Sequence, residues 1–136
     1  MKKHRMLVRP YHCDAYGHVN NARYLEIFEE GRWNLLGSAE LDDYLANHNI
    51  GMVVVDLHIQ YKRPALPGEW LNISAEISQI GNSSFTILQH IHLDDDHAVA
   101  EASVKLVMID LTSGRPVKMD ETLRKLVLDA AQKDHQ

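Results

Sequence analysis

Tyr11-His-Cys-Asp-Ala-Tyr-Gly-His-Val-Asn-Asn-Ala-Arg-Tyr-Leu-Glu-Ile-Phe-Glu-Glu-Gly-Arg-Trp-Asn-Leu-Leu36 is the stretch around which the rest of the chain is organised. From Asn21 onward Tyr24, Leu25, Ile27, Phe28 and Leu35 recur at spacings of three and four, while Arg23, Glu26, Glu30 and Asn34 form the opposite stripe. That period is helical, and an apolar face on a helix requires other elements wrapped around it. Asn20 or Asn21 is placed to cap this helix, its side-chain oxygen taking one of the amides that a first turn leaves without a partner. The remaining amides and the positive end of the helix dipole make the terminus a site for an anion or a developing oxyanion. Asp14 lies a few residues upstream. Gly17 is the residue best able to adopt a positive φ, so the intervening loop can fold back and present the carboxylate beside the helix start. A candidate active centre follows from these few residues.

The chain of 136 residues is long enough to bury one core and too short for two, so one domain over 1–136 is expected. No run approaches the apolar length needed to cross a bilayer. Met1-Lys-Lys-His-Arg5 leads into a strand-like segment with no apolar signal core, which predicts a cytoplasmic protein with no membrane partner. Cys13 is the one cysteine, which excludes an intrachain disulfide and a thiolate zinc cluster. A net charge of −5 argues against a nucleic-acid partner, because phosphate contacts need a concentrated basic patch. A local Lys/Arg pocket for one phosphorylated ligand stays open.

Residues Arg5 to Tyr11 read as a short first strand with Pro10 near its end. Gly37 stops the long helix as a residue just past its last turn, and Glu40 to Asn47 give one or two further helical turns. From Ile50 the period changes to two. Val55, Leu57, Ile59 and Tyr61 alternate with Asp56, His58, Gln60 and Lys62 until Arg63-Pro64 ends the strand. Leu71, Ile73, Ala75 and Ile77 alternate next, Gly81-Asn82 marks a hairpin, and Phe85, Ile87, Gln89, Ile91 and Leu93 alternate up to the Asp94-Asp-Asp96 turn. Ala98 to Leu111 makes the last long strand. Leu123, Leu126, Val127 and Ala130 then give a C-terminal helix its apolar stripe, with Asp120 as cap and frayed polar residues at the end.

One strand, one helix and four strands joined by short turns predict an α+β fold, an antiparallel sheet of about five strands around one long central helix plus a C-terminal helix. Gly31 would allow the sheet to approach that helix closely. The strand from Ile50 is apolar enough at a sheet edge to pair with a second copy.

Asp14-Ala-Tyr-Gly-His-Val-Asn-Asn-Ala-Arg-Tyr24, Glu29-Glu-Gly-Arg-Trp33 and Tyr61-Lys-Arg-Pro64 together resemble the hotdog-fold acyl-CoA thioesterases of the 4-hydroxybenzoyl-CoA thioesterase family. The likeness covers nearly the whole chain. It implies the hotdog fold, hydrolysis of acyl-CoA to free acid and CoA without metal or redox cofactor, and a homodimer or a tetramer made of two dimers. It also implies substrate bound at the subunit interface. Asp14 matches the family's catalytic carboxylate, and the backbone amide near Asn21 matches the donor that polarises the thioester carbonyl. The Gly17-His-Val-Asn-Asn21 form of the loop favours fatty over aromatic acyl groups. Some members place a catalytic glutamate on the central helix, for which Glu26, Glu29 or Glu30 would be the candidates; the loop aspartate is the better match.

An anionic group near an electrophilic carbonyl, with donors where negative charge develops, is what thioester hydrolysis asks for. Asp14 supplies the first, either as nucleophile or by activating water, and the helix start the second. His18 orients the loop or touches substrate. Tyr11, Tyr16 and Tyr24 are candidate walls of an acyl cleft, and Lys62 and Arg63 candidate phosphate ligands, with Arg115 and Lys118 weaker ones. Cys13, with His12 and His18 nearby, is the rival nucleophile, but neighbours in an extended chain point to opposite sides. His90, His92 and His97 lie near one hairpin end, and no metal site is assigned to them. Two other functions fit the residues: a thioesterase acting on acyl carrier protein, and an acyl-CoA-binding module without turnover.

Overall fold

Alternation of period two builds the sheet. In the computed structural model, which describes residues 2–132, Phe85, Ile87, Gln89, Ile91 and Leu93 all turn into the core while the residues between them are half-exposed. The elements in order are β1 (Lys2–Leu7), α1 (Arg23–Leu36), α2 (Ala39–Asn47), β2 (Ile50–Tyr61), β3 (Trp70–Ile80), β4 (Ser84–Leu93), β5 (Ala98–Asp110) and α3 (Glu121–Gln132). The five strands form one sheet in the order β1-β3-β4-β5-β2, antiparallel at every step. Its buried face covers α1. This is the hotdog arrangement, α+β in class.

Phe28 and Leu35 of α1 sit fully buried against that face together with Ile73, Ile87 and Ile91. Gly31 is where helix and sheet come closest: a Cβ there would stand 2.7 Å from Gln89 Nε2 and 3.0 Å from Ile73 Cγ2. The fully buried Gln89 uses the approach, donating to the Phe28 carbonyl at 2.8 Å and accepting from Arg32 at 3.2 Å. Lys2 is buried as well, and its ammonium donates to the carbonyls of Leu35 and Ala130, tying the ends of α1 and α3 together. Asp120 caps α3 through the Leu123 amide at 2.8 Å. Among the described residues no helix is long and apolar enough to cross a membrane.

Several boundaries differ from the sequence reading. The first strand is Lys2–Leu7, since its pairing with β3 ends at Leu7↔Trp70 and Pro10–His12 folds into a 3-10 turn. Helix α1 starts at Arg23. Gly37 ends it in an extended conformation (φ −64°, ψ 107°), because Ser38 caps α2 immediately afterwards through the Leu41 amide. Leu25 is exposed, lying on the flank of α1 that the sheet leaves open. The expected fraying at the end of the chain concerns residues 133–136, outside the described residues.

Candidate active site

Between β1 and α1 the chain makes a closed loop. Cys13 and Val19 form an isolated antiparallel bridge, and the residues between them turn tightly. The Asp14 amide donates to the His18 carbonyl and the Gly17 amide to the Asp14 carbonyl, both at 3.0 Å, with Gly17 at φ +81°. The Tyr16 amide donates to Asp14 Oδ1 at 2.9 Å. Asp14 therefore folds the turn with one carboxylate oxygen, and its Oδ2 accepts no hydrogen bond among the described residues. Val19 fastens the loop to the β2–β3 connection by donating to the Ala65 carbonyl at 2.9 Å.

The helix start differs from a simple cap. Asn20 Oδ1 accepts from the Ala22 amide at 3.0 Å and the Asn20 carbonyl from the Arg23 amide at 2.9 Å, so a turn precedes the helix and Ala22 takes the N-cap position without a side-chain bond. Asn20, rather than Asn21, thus supplies the side-chain oxygen. The Asn21 N–H has no hydrogen-bond partner among the described residues. Its carbonyl accepts from the Tyr61 hydroxyl at 3.0 Å, which pins this peptide to the end of β2.

An open cavity of about 530 Å³ lies here, lined by Asp14, His18, Val19, Asn21, Tyr24, Tyr61, Lys62, Arg63 and Pro64. Six of the candidate residues are brought together: Asp14, His18, Asn21, Tyr24, Lys62 and Arg63. Tyr24 is buried and meets Tyr61 edge-on with ring centroids 5.3 Å apart. Burial, reinforced by the neighbouring Tyr61 and Cys13, pushes the Tyr24 phenol up to about 12, so it stays protonated. Lys62 is tethered to Glu101 at 3.3 Å. The Arg63 guanidinium makes no hydrogen bond or close ion pair among the described residues, although its charge reaches Asp95.

Tyr11 and Tyr16 lie outside this cavity, 69% and 85% exposed. The turn that aims Asp14 inward aims Tyr16 outward, where it stacks on His18 at 6.2 Å. Cys13 packs against the core, its Sγ 3.7 Å from the Arg9 carbonyl, and does not line the cavity. His12 Nδ1 accepts from the Arg9 amide, and its pKa is lowered by burial and then by Arg23. On α1, Glu26 pairs with Arg23 at 3.1 Å and Glu29 accepts from Trp33 at 3.3 Å. His90 faces Glu101 at 3.5 Å and His97 pairs with Asp95 at 2.8 Å. Arg115 and Lys118 lie between β5 and α3 and do not line the cavity. Tyr61 is the cavity residue that periodicity hides, since alternation reads it as one more apolar strand position; its place beside Lys62-Arg63-Pro64 was the available signal.

This chain is 40% identical over 119 residues to the Escherichia coli long-chain acyl-CoA thioesterase FadM, covering 87% of this chain and 90% of that one. It is 27% identical over 121 residues to the Haemophilus influenzae acyl-CoA thioesterase YbgC, with 86% and 88% covered. The solved structure of the probable thioesterase YbaW from Escherichia coli superposes with a TM-score of 0.87 at 37% identity, over 96% of this chain and 98% of that one. The sequence profile of the thioesterase-like superfamily matches residues 8–127, the span holding α1, the Asp14 loop and β2 to β5, and the chain belongs to that superfamily.

Proposed function

We propose that this chain is a cytoplasmic hydrolase of acyl-CoA thioesters, with fatty acyl groups of medium to long chain as substrates and the Asp14 cavity as its active site. The observation that carries this reading is the meeting, in one cavity at the start of α1, of Asp14 and of Asn21, whose N–H has no hydrogen-bond partner among the described residues. In the reaction the acyl carbon–sulfur bond breaks and CoA leaves as the thiolate, while water supplies the oxygen of the acid and a proton. As the carbonyl becomes tetrahedral its oxygen takes on charge, and the Asn21 amide, with the helix dipole behind it, stabilises that charge. Asp14 Oδ2 either attacks the thioester carbon or takes the proton of the attacking water. His18 and Tyr24 wall the site, and Arg63 with Lys62 meets the phosphates of the nucleotide. The fatty preference draws support from the FadM-like sequence and the Gly17-His18-Val19-Asn20-Asn21 loop. The open β2 edge supports a particle of two or four chains.

Release of free thiol, followed across acyl-CoA lengths and with an acyl carrier protein thioester, tests the proposal. Asp14→Asn is expected to lower kcat by about a hundredfold or more, in line with loss of a catalytic acid–base or nucleophilic group. Cys13→Ser keeps the activity. The reverse pattern, or tight acyl-CoA binding with no thiol released by the unmodified protein, would overturn the assignment.

A further inference from the structure

Lys62 and Arg63 stand together at the Asp14 cavity, but their charges are not equally available. The Arg63 guanidinium has no close ion pair among the described residues, and its charge reaches Asp95 only from a distance. Lys62 has a carboxylate in contact, its Nζ lying 3.3 Å from Glu101 Oε1. The register of the sheet makes that contact. Glu101 of β5 pairs directly with Gln60 of β2 and with His90 of β4, so the three share one face of the sheet. Lys62 follows Gln60 by two residues and is therefore the diagonal neighbour of Glu101. This face is turned away from α1, since Ala100, Ala102 and Val104 are buried in the core while Glu101 and Ser103 between them are half-exposed. Glu101 thus stands outside the Asp14 cavity and lines a groove of about 670 Å³ on the outer side of the sheet, with Asn72, Ser74, His90 and His92. The contact runs from β2 to β5, on the side of β2 opposite its edge, so it does not depend on what covers that edge.

We propose that Glu101 is a displaceable counter-ion: the phosphates of the CoA nucleotide take Lys62 from it, and this exchange keeps CoA bound more weakly than the two cations alone would hold it. The proposal rests on the assignment of the Asp14 cavity to acyl-CoA. The side chains of Lys62 and Glu101 are 43% and 39% exposed, and an ion pair this open is worth at most about fivefold in an equilibrium constant. It can be exchanged. A lysine ammonium is a point charge on a flexible stem, able to leave one anion for another while the backbone stays in place. Glu101 is not left bare by the move, because its Oε2 faces His90 Nε2 at 3.5 Å. The nucleotide is common to substrate and product, so a contact to it holds acyl-CoA, transition state and CoA alike and does not speed the chemical step. A tighter grip would instead delay the departure of CoA. Glu101 acts through Lys62 and touches no reacting atom, which makes it a positioning residue that sets affinity for the nucleotide.

Calorimetric titration with CoA itself tests the exchange without turnover. Glu101→Gln keeps the length of the side chain and removes its charge, and CoA is expected to bind about threefold more tightly. In a Lys62→Met background no ammonium remains to be competed for, so the same substitution is expected to change CoA affinity by less than about 1.5-fold. Unchanged or weaker binding in Glu101→Gln overturns the proposal. So does an equal gain in both backgrounds, which would make Glu101 a source of general repulsion, and so does failure of CoA to bind the natural chain. Thiol release is read separately. The expected binding pattern in a protein that hydrolyses no acyl-CoA would remove the proposed activity and leave the exchange at Lys62 standing.

Discussion

Asp14 Oδ1 accepts from the Tyr16 amide, which leaves the second oxygen without a hydrogen bond among the described residues and fixes the carboxylate's direction without any other side chain. The donor side is fixed differently. Tyr61 reaches across from β2 to hold the Asn21 carbonyl, and a peptide whose carbonyl is anchored also has its neighbouring N–H directions restricted. Tyr61→Phe keeps the ring against Tyr24 and removes only that bond, worth about 1 kcal/mol net. The expected result is a kcat lowered severalfold with KM within twofold, since the role proposed for the amide is to stabilise the oxyanion as it forms. Steady-state kinetics decide it, and a pure rise in KM would make Tyr61 a substrate contact instead. The helix start at Arg23, set off by a turn around Asn20 with Ala22 at the N-cap, was not legible, whereas the sequence carried the Asp14–Gly17 turn plainly, because each of those two residues has a local reason. Tyr61 had none, as its partner lies forty residues away, and the outward aim of Tyr11 and Tyr16 depends on a turn whose hydrogen bonds no residue pattern specifies.

At the scale of elements the contact between α1 and the sheet is fixed by Gly31 and Gln89. An alanine at position 31 would gain about 1 kcal/mol in helix propensity on an isolated helix. Here its Cβ would stand 2.7 Å from Gln89 Nε2, and Gln89 cannot retreat, being fully buried and bonded to both Phe28 and Arg32. Overpacking of this kind costs about 1–3 kcal/mol. Gly31→Ala is therefore expected to lower stability by up to about 2 kcal/mol in urea unfolding, the overpacking cost less the propensity gain, and a higher midpoint would show that the helix can lift without loss. The alternation through β4 places Gln89 on the core face from sequence alone. That its amide reaches a helix carbonyl was not legible, because the partner belongs to another element at a spacing set by a glycine.

For the whole molecule, the hairpins β3–β4–β5 follow from turn residues such as Gly81-Asn82 and Asp94-Asp96, whereas β1 against β3 and β2 against β5 are pairings between distant segments that no local signal announces. The β1 pairing brings His4 beneath α1, with its Nδ1 buried and unpartnered among the described residues. Burial lowers the pKa of His4 from 6.5, against a smaller opposing pull from Glu30, and His12 is lowered too. The unfolded chain therefore binds protons that the folded chain refuses. Stability from these histidines is complete above about pH 6.5 and is lost as the pH falls through that value toward their folded pKa values. The carboxylates of Asp94, Asp95, Asp110 and Asp120 are held below 3.8 by hydrogen bonds, chiefly from Asn72, His97, Ser113 and Leu123 respectively, so their contribution is lost only in a separate, more acidic window. Calorimetry between about pH 7.5 and pH 5 is expected to give a falling Tm in the natural chain and a flatter curve in His4→Gln, with both curves dropping together below about pH 4. Parallel curves throughout would mean that the pocket under the helix opens enough to hydrate a charged imidazole, and that the packing of β1 on α1 is looser than its contacts imply.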